Sequence, residues 1–281
     1  LTQASQPSFC QAAHACAMSV ETFWSQLRDG DESIRRDRDF ILRAVRDEGV
    51  CLQFAAEELR ADREVVRAAV EQDAEALEFA SEELRADHEI VRRAVAAKGS
   101  LLELAAETLR ADRDVVLAAV SSDGGALRLA VEALRSDREV VLAAVAQDGD
   151  AIEIAAPEFR GDREAVLLAL RCNGAVLELA SAELRDDAEV VAAAVRFDGL
   201  ALEFASERLR ADRGVVLAAC RQHGCALEFA CDELRADRAV VVEAVNRTPK
   251  AVAYALGGLQ DDSGICELVR EVRCRIQREG R

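Results

Sequence analysis

Aromatic side chains are scarce, at 4% of 281 residues with a single Trp and a single Tyr, and His14, His88 and His223 are the only histidines. Basic residues are also in deficit, 36 against 53 acidic ones, which leaves a formal net charge of −17. A surface this acidic repels phosphate, so the balance argues against a nucleic-acid partner. No run of 18 apolar residues occurs, which excludes a membrane-spanning helix; peripheral association with a membrane complex stays compatible with the sequence. P-loop, nucleophile-elbow, HExxH and GxGxxG patterns are all missing, so catalysis has no recognisable motif and no cofactor is expected. The nine cysteines form an odd set without a CxxC pair. That is no disulfide framework, and it favours a reducing compartment, cytoplasmic or inside an organelle. Residues 1–18 lack the charged start and continuous apolar stretch of a signal peptide. Starting at Leu1, the chain reads as a fragment, a processed product or an incomplete sequence.

What is present is alanine, 54 residues of it, and one period. Asp37, Asp62, Asp87, Asp112, Asp137, Asp162, Asp187, Asp212, Asp237 and Asp262 stand 25 residues apart, so residues 37–261 hold nine repeats without an insertion. Two short helices fit each repeat. The first opens at the recurring Asp, whose carboxylate can accept from the free amides of the first turn, and its core face is Val65, Val66, Ala69 and Val70. The second carries Leu77, Phe79, Ala80 and Leu84 on one side and Glu78, Glu82 and Glu83 on the other, a helical period. Alanine fills one position of this second helix in every copy, from Ala55 to Ala255, where a small side chain lets helices approach closely. A unit this small cannot bury its own apolar face, so stability must come from stacking. The expected fold is all-α: an α-solenoid of nine 25-residue two-helix repeats over 37–261. It follows a segment 1–36 with a helix near 19–27 and is closed by a capping helix and tail at 262–281.

Between the helices, Gly49, Gly99, Gly149 and their counterparts suggest a left-handed turn. Yet Pro249 occupies the same position and cannot take positive φ. The preceding Asp73, Asp123, Asp148, Asn173, Asp198 or Thr248 is therefore favoured as a cap, with Pro249 at the first helical position. The alternative is a glycine turn that Pro249 remodels. Pro157 falls inside the second helix and should kink or end it. In the closing helix, Ile265, Leu268, Val269, Val272 and Ile276 make an apolar stripe. The formal charge divides as −1 before the array, −17 within it and +1 after it.

The units Asp137-Arg-Glu-Val-Val-Leu-Ala-Ala-Val145 and Asp198-Gly-Leu-Ala-Leu-Glu-Phe-Ala-Ser-Glu207 resemble the repeat family known as domain of unknown function 4116. The resemblance covers about 37–261. It implies tandem short-helix repeats and no particular reaction or ligand. Pro157, Lys98, His223 and Gln260 depart from the pattern.

An arginine ladder (Arg60, Arg85, Arg110, Arg135, Arg160, Arg185, Arg210, Arg235) lies two residues before each next Asp. Its structural reading is a set of guanidinium forks bridging acidic groups or carbonyls of adjacent repeats. Its functional reading is a cationic track for carboxylates or phosphates; the sequence favours structure. A second ladder (Arg38, Arg63, Arg113, Arg138, Arg163, Arg213, Arg238) reads as a solvated face. Positions that vary between copies suit a partner's footprint better: Arg171, Arg196 and Arg221 align along one edge beside Phe197. A further stripe holds Leu117, Leu142, Leu167, Leu217 and Val242 with Ala118, Ala143, Ala193 and Ala218, and Arg67, Arg92 and Arg93 stand at the matching sites of earlier repeats. It suits a docking strip or packing of the first helices on their neighbours, and the sequence favours packing. Cys220, His223, Cys225 and Cys231, and separately Cys10, His14 and Cys16, cluster in sequence, but neither spacing matches a zinc finger. The expected function is a non-catalytic scaffold for other proteins or a peripheral structural subunit of a larger assembly. The alternative is a thiol or metal-binding regulatory module using Cys220, His223 and Cys225.

Overall fold

The computed structural model describes residues 32–279; the helix expected over 19–27 and the Cys10, His14, Cys16 group lie outside them. Contacts gather the chain into two compact units, one ending at Val131 and the other beginning at Glu132. Both are all-α repeat solenoids, and no strand occurs among the described residues.

The first helix of each repeat forms as its sequence dictates. Asp62 caps Arg63–Gln72 by accepting from Glu64 N at 2.9 Å and Val65 N at 3.2 Å. Asp187 does the same for Ala188–Phe197, from Glu189 N at 2.8 Å and Val190 N at 3.1 Å. These bonds satisfy amides that would otherwise lack a partner at a helix start. Val65, Val66, Ala69 and Val70 are buried, as are Val190, Val191, Ala194 and Val195. These sets recur at i, i+1, i+4 and i+5, one helical face.

The second helix is not continuous, contrary to the two-helix expectation. It divides into a six-residue 3₁₀ segment (Ala74–Phe79, Gly224–Phe229) and, in most copies, a single α turn (Glu57–Arg60, Glu207–Arg210). The break falls at the recurring alanine, which is extended: Ala80 has φ −69° and ψ 153°. The reason lies in where the next amide goes. Ser81 N donates to Arg60 O of the preceding repeat at 2.9 Å, Ser181 N to Arg160 O at 2.8 Å and Ser206 N to Arg185 O at 2.9 Å. An inter-repeat bond thus replaces an intrahelical one, keeping the buried backbone paired. Ala80, Ala155 and Ala205 are buried at this seam, so the alanine sits where two repeats are joined by main chain. Pro157 consequently neither kinks nor shortens a helix. It stands at the first position of the segment Pro157–Gly161, just after the break, where its missing N–H is not needed.

The favoured capping reading holds between the helices for Asp73, Asp123, Asp148, Asn173 and Asp198. It does not hold for Thr248, whose hydroxyl accepts instead from Gly224 N of the preceding repeat at 3.2 Å. Asp73 (φ −142°) accepts from Glu75 N at 2.9 Å, and Asn173 accepts from Ala175 N at 3.0 Å. Positive φ is confined to Gly257 and Gly258 among the described residues. Glycine recurs for close approach instead. A Cβ placed on Gly149 would lie 2.6 Å from Ala169 O and 3.1 Å from Cys172 Cβ of the next repeat.

At the start, Glu32–Arg35 forms the single turn of a partial repeat. At the end, Ser263–Glu279 buries Ile265, Val269 and Val272, but Ile276 is 50% exposed, so the expected stripe stops short. This helix has 17 residues against 10 in Arg238–Arg247, on which it stacks, and its last turns outrun that support. Gln260, in the place of a ladder arginine, donates to Ala253 O at 2.9 Å and Ala255 O at 2.8 Å.

Candidate functional site

The second arginine ladder does more than the solvated face expected of it. Arg38, Arg63, Arg138 and Arg163, on the supposed solvated face, tie each repeat to the next. Arg38 reaches Asp62 at 2.8 Å and Glu64 at 2.6 Å, and Arg63 reaches Asp87 at 2.9 Å and Glu89 at 2.7 Å. Arg138 contacts Asp162 and Glu164 in the same way, and Arg163 contacts Asp187 and Glu189. Each fork takes the helix cap and the following acid together, at spacings of 24 and 26 residues. Arg38 therefore holds the Asp62 carboxyl below its ordinary range, and Arg63 does the same for Asp87. The signal was legible as an Arg one residue after most capping Asp residues and an acid two after most of them.

The other ladder, expected to bridge acids or carbonyls of adjacent repeats, is half-buried. Arg235 Nε donates to Tyr254 O of the next segment at 2.9 Å. In Arg60, Arg85, Arg110, Arg135, Arg160, Arg185 and Arg210 the same nitrogen is buried without a hydrogen-bond partner. Around Arg60, a groove of 370 Å³ is lined by Glu57, Glu78, Glu82 and Glu83. This face is rich in carboxylates, which disfavours the phosphate track.

The outer face of the first helices carries the remaining candidates. In the unit beginning at Glu132, Leu142, Leu167, Leu217 and Val242 are half-buried, so packing on neighbours covers only part of each. Leu117 has the same half-buried setting but belongs to the other unit. In earlier repeats of that unit the matching positions hold Arg67 and Arg92, and Arg93 beside them reaches Glu71 at 2.5 Å. Arg171 lies one turn beyond Leu167, and both line a groove of 430 Å³ with Leu168, Arg163 and Glu164. The edge and the stripe proposed separately are thus one surface at this helix. Arg171, Arg196 and Arg221 are all exposed, and Phe197 is 53% exposed. Among the described residues no carboxylate pairs with Arg171 or Arg196. Arg221 differs from them: its Nε meets Glu243 at 3.1 Å, a partner the sequence reading missed. The main chain beside Phe197 is fixed by Gln222 Nε2, which donates to Phe197 O at 3.3 Å.

The family model described as Domain of unknown function (DUF4116) matches residues 37–85, 62–110, 112–160, 162–210 and 212–256. The chain belongs to the DUF4116 family. Each match begins at a capping Asp, and all but the last, shorter one span two 25-residue repeats, so the DUF4116 unit is a pair of the repeats described above. No curated protein and no solved structure matches the chain.

Cys220, His223, Cys225 and Cys231 all lie within the final DUF4116 match. No group of three or more His, Cys, Asp or Glu side chains is placed to hold a metal ion among the described residues. Cys220 is a core side chain in the valine position, and burial pushes its thiol up to about 12. Burial also raises Cys225. A protonated, buried thiol is a poor nucleophile and a poor ligand. His223 occupies the cap position between helices without capping it, and its Nδ1 is buried and unpaired. The geometry therefore gives the metal alternative no support.

Proposed function

We propose that the chain is a non-catalytic repeat scaffold that binds other proteins, as a peripheral structural subunit of a larger assembly. Its docking surface is the outer face of the first helices in the unit beginning at Glu132, centred on Arg171, Arg196, Phe197, Leu167 and Leu217. One observation carries this reading. While Arg138 and Arg163 on these helices are tied to the next repeat, Arg171 and Arg196 stand without a carboxylate partner beside an exposed phenylalanine and half-open leucines. Large exposed aromatics next to arginine are the composition of binding hot spots. Stacked repeats present such residues at a fixed spacing, which suits extended partners. Leu117 stays outside the proposal.

Affinity recovery with the full chain tests it. The Arg171→Glu, Arg196→Glu, Arg221→Glu triple variant should lose partners that the wild-type chain retains. A matched reversal on the opposite face, Glu178→Lys with Glu203→Lys, should keep them. Loss of partners with the second variant and retention with the first would overturn the assignment.

A further inference from the structure

We infer that the occupant of this face is an acidic amphipathic α-helix, with leucine-type side chains on one stripe and carboxylates along its edge. The inference rests on the scaffold reading and adds the chemistry of the partner. Charge complementarity carries it. The protein as a whole has a net charge of −17, yet the carboxylates on this face are already engaged. Glu164 is held by Arg138 at 2.5 Å and Glu189 by Arg163. What remains open to a ligand is cationic, Arg171 and Arg196, and apolar, Leu167, Leu168 and Phe197. A partner with bare carboxylates would give these arginines their missing forked contacts.

Spacing points to a helix rather than a strand. Packed helix layers stand roughly 8–10 Å apart. An α-helix laid across them, rising about 1.5 Å per residue, advances about 5–7 residues per layer. At the wider spacing that approaches two turns, so one face of the partner meets successive repeats close to phase. The residues of a strand would meet these layers roughly every third position, alternating between faces. An anionic membrane surface is the competing source of negative charge. It suits this face less, because Leu167 and Leu168 are half-buried along their helix rather than projecting from it.

The test is a display selection of helical 18-residue peptides on the intact chain, with affinities then read by fluorescence anisotropy. The expected winners carry leucine stripes flanked by Asp or Glu. Their affinity should fall at least tenfold on Arg171→Glu with Arg196→Glu, and less than twofold on Glu178→Lys with Glu203→Lys. Circular dichroism confirms that both variants fold. Basic winners that lose affinity only on the glutamate reversals would overturn this inference while leaving a scaffold that uses its other face. Failure to select any peptide would overturn both. Binding of the chain to vesicles containing phosphatidylserine, abolished by Arg171→Glu with Arg196→Glu, would assign the face to a membrane and overturn the peptide partner.

Discussion

Two glycines with negative φ should respond in opposite ways to the same substitution. Gly149 and Gly161 are both outside the left-handed region, so alanine meets no backbone strain at either. At Gly161 the nearest atom to an added Cβ is Ser181 Cβ at 3.9 Å. Gly161→Ala should therefore stabilise by about 0.5 kcal/mol, because alanine reduces the freedom of the unfolded chain. At Gly149 the added Cβ lies 2.6 Å from Ala169 O, a backbone carbonyl of the next repeat's first helix. Overpacking of this kind costs roughly 1–3 kcal/mol. The low end applies here, since Ala74 occupies the equivalent site in an earlier repeat, and the seam can therefore open slightly. With the unfolded-state gain set against it, Gly149→Ala should still destabilise by about 0.5 kcal/mol. For a chain of this size that lowers the melting temperature by ~1–2 °C. Thermal melting followed at 222 nm measures both variants, and hydrogen exchange at Ala151–Ile154 reports the local effect. Equal stability of the two variants would refute the close approach that explains the recurring glycine.

Four further outcomes follow from the seams, the caps and the buried thiols. Ala155→Leu should overpack the main-chain junction between repeats, costing about 1–3 kcal/mol by urea denaturation. Asp87→Ala should cost about 1 kcal/mol through loss of its bonds to Glu89 N and Ile90 N, and Asp87→Asn, which keeps a capping oxygen, should cost less. Because Asp62, Asp87 and Asp162 have folded pKa values below the ordinary 3.8, their stabilisation is complete above that value. It is lost as pH falls through the lower folded values, so a melting temperature that drops only below about pH 4 is expected. Cys51 and Cys220, with thiols pushed up to about 11 and about 12, should resist labelling in the native protein, whereas exposed Cys172 and Cys274 should react. Mass mapping of the labelled peptides distinguishes them.

Much of this fold was legible in the sequence because the repeat is strict. The capping Asp, the Val-Val-x-x-Ala-Val core and the interhelix cap each recur in fixed phase, and each lies where the period put it. The break in the second helix was hidden, because the apolar residues on both sides of Ala80 share a helical spacing. Only the inter-repeat bond from Ser81 N to Arg60 O, a contact 21 residues away in sequence, decides that the backbone turns extended there. The second arginine ladder was misjudged for a related reason. Composition shows arginines beside acids at every step but not which acid belongs to which arginine, and that choice is made by the stacking distance. On the candidate face, the positions were legible from their variation between copies. That Arg221 meets Glu243 while Arg171 and Arg196 stand open required the neighbouring helix to be in place.

The central claim is that a partner covers the outer face around Phe197. A photoreactive phenylalanine analogue placed at Phe197 of the intact chain, with Glu178 as the control position, tests it most directly in the native cell. A discrete cross-linked protein from position 197, absent from position 178 and lost on Arg171→Glu with Arg196→Glu, is the predicted result. Cross-linking from position 178 alone, or none from position 197, would contradict the account.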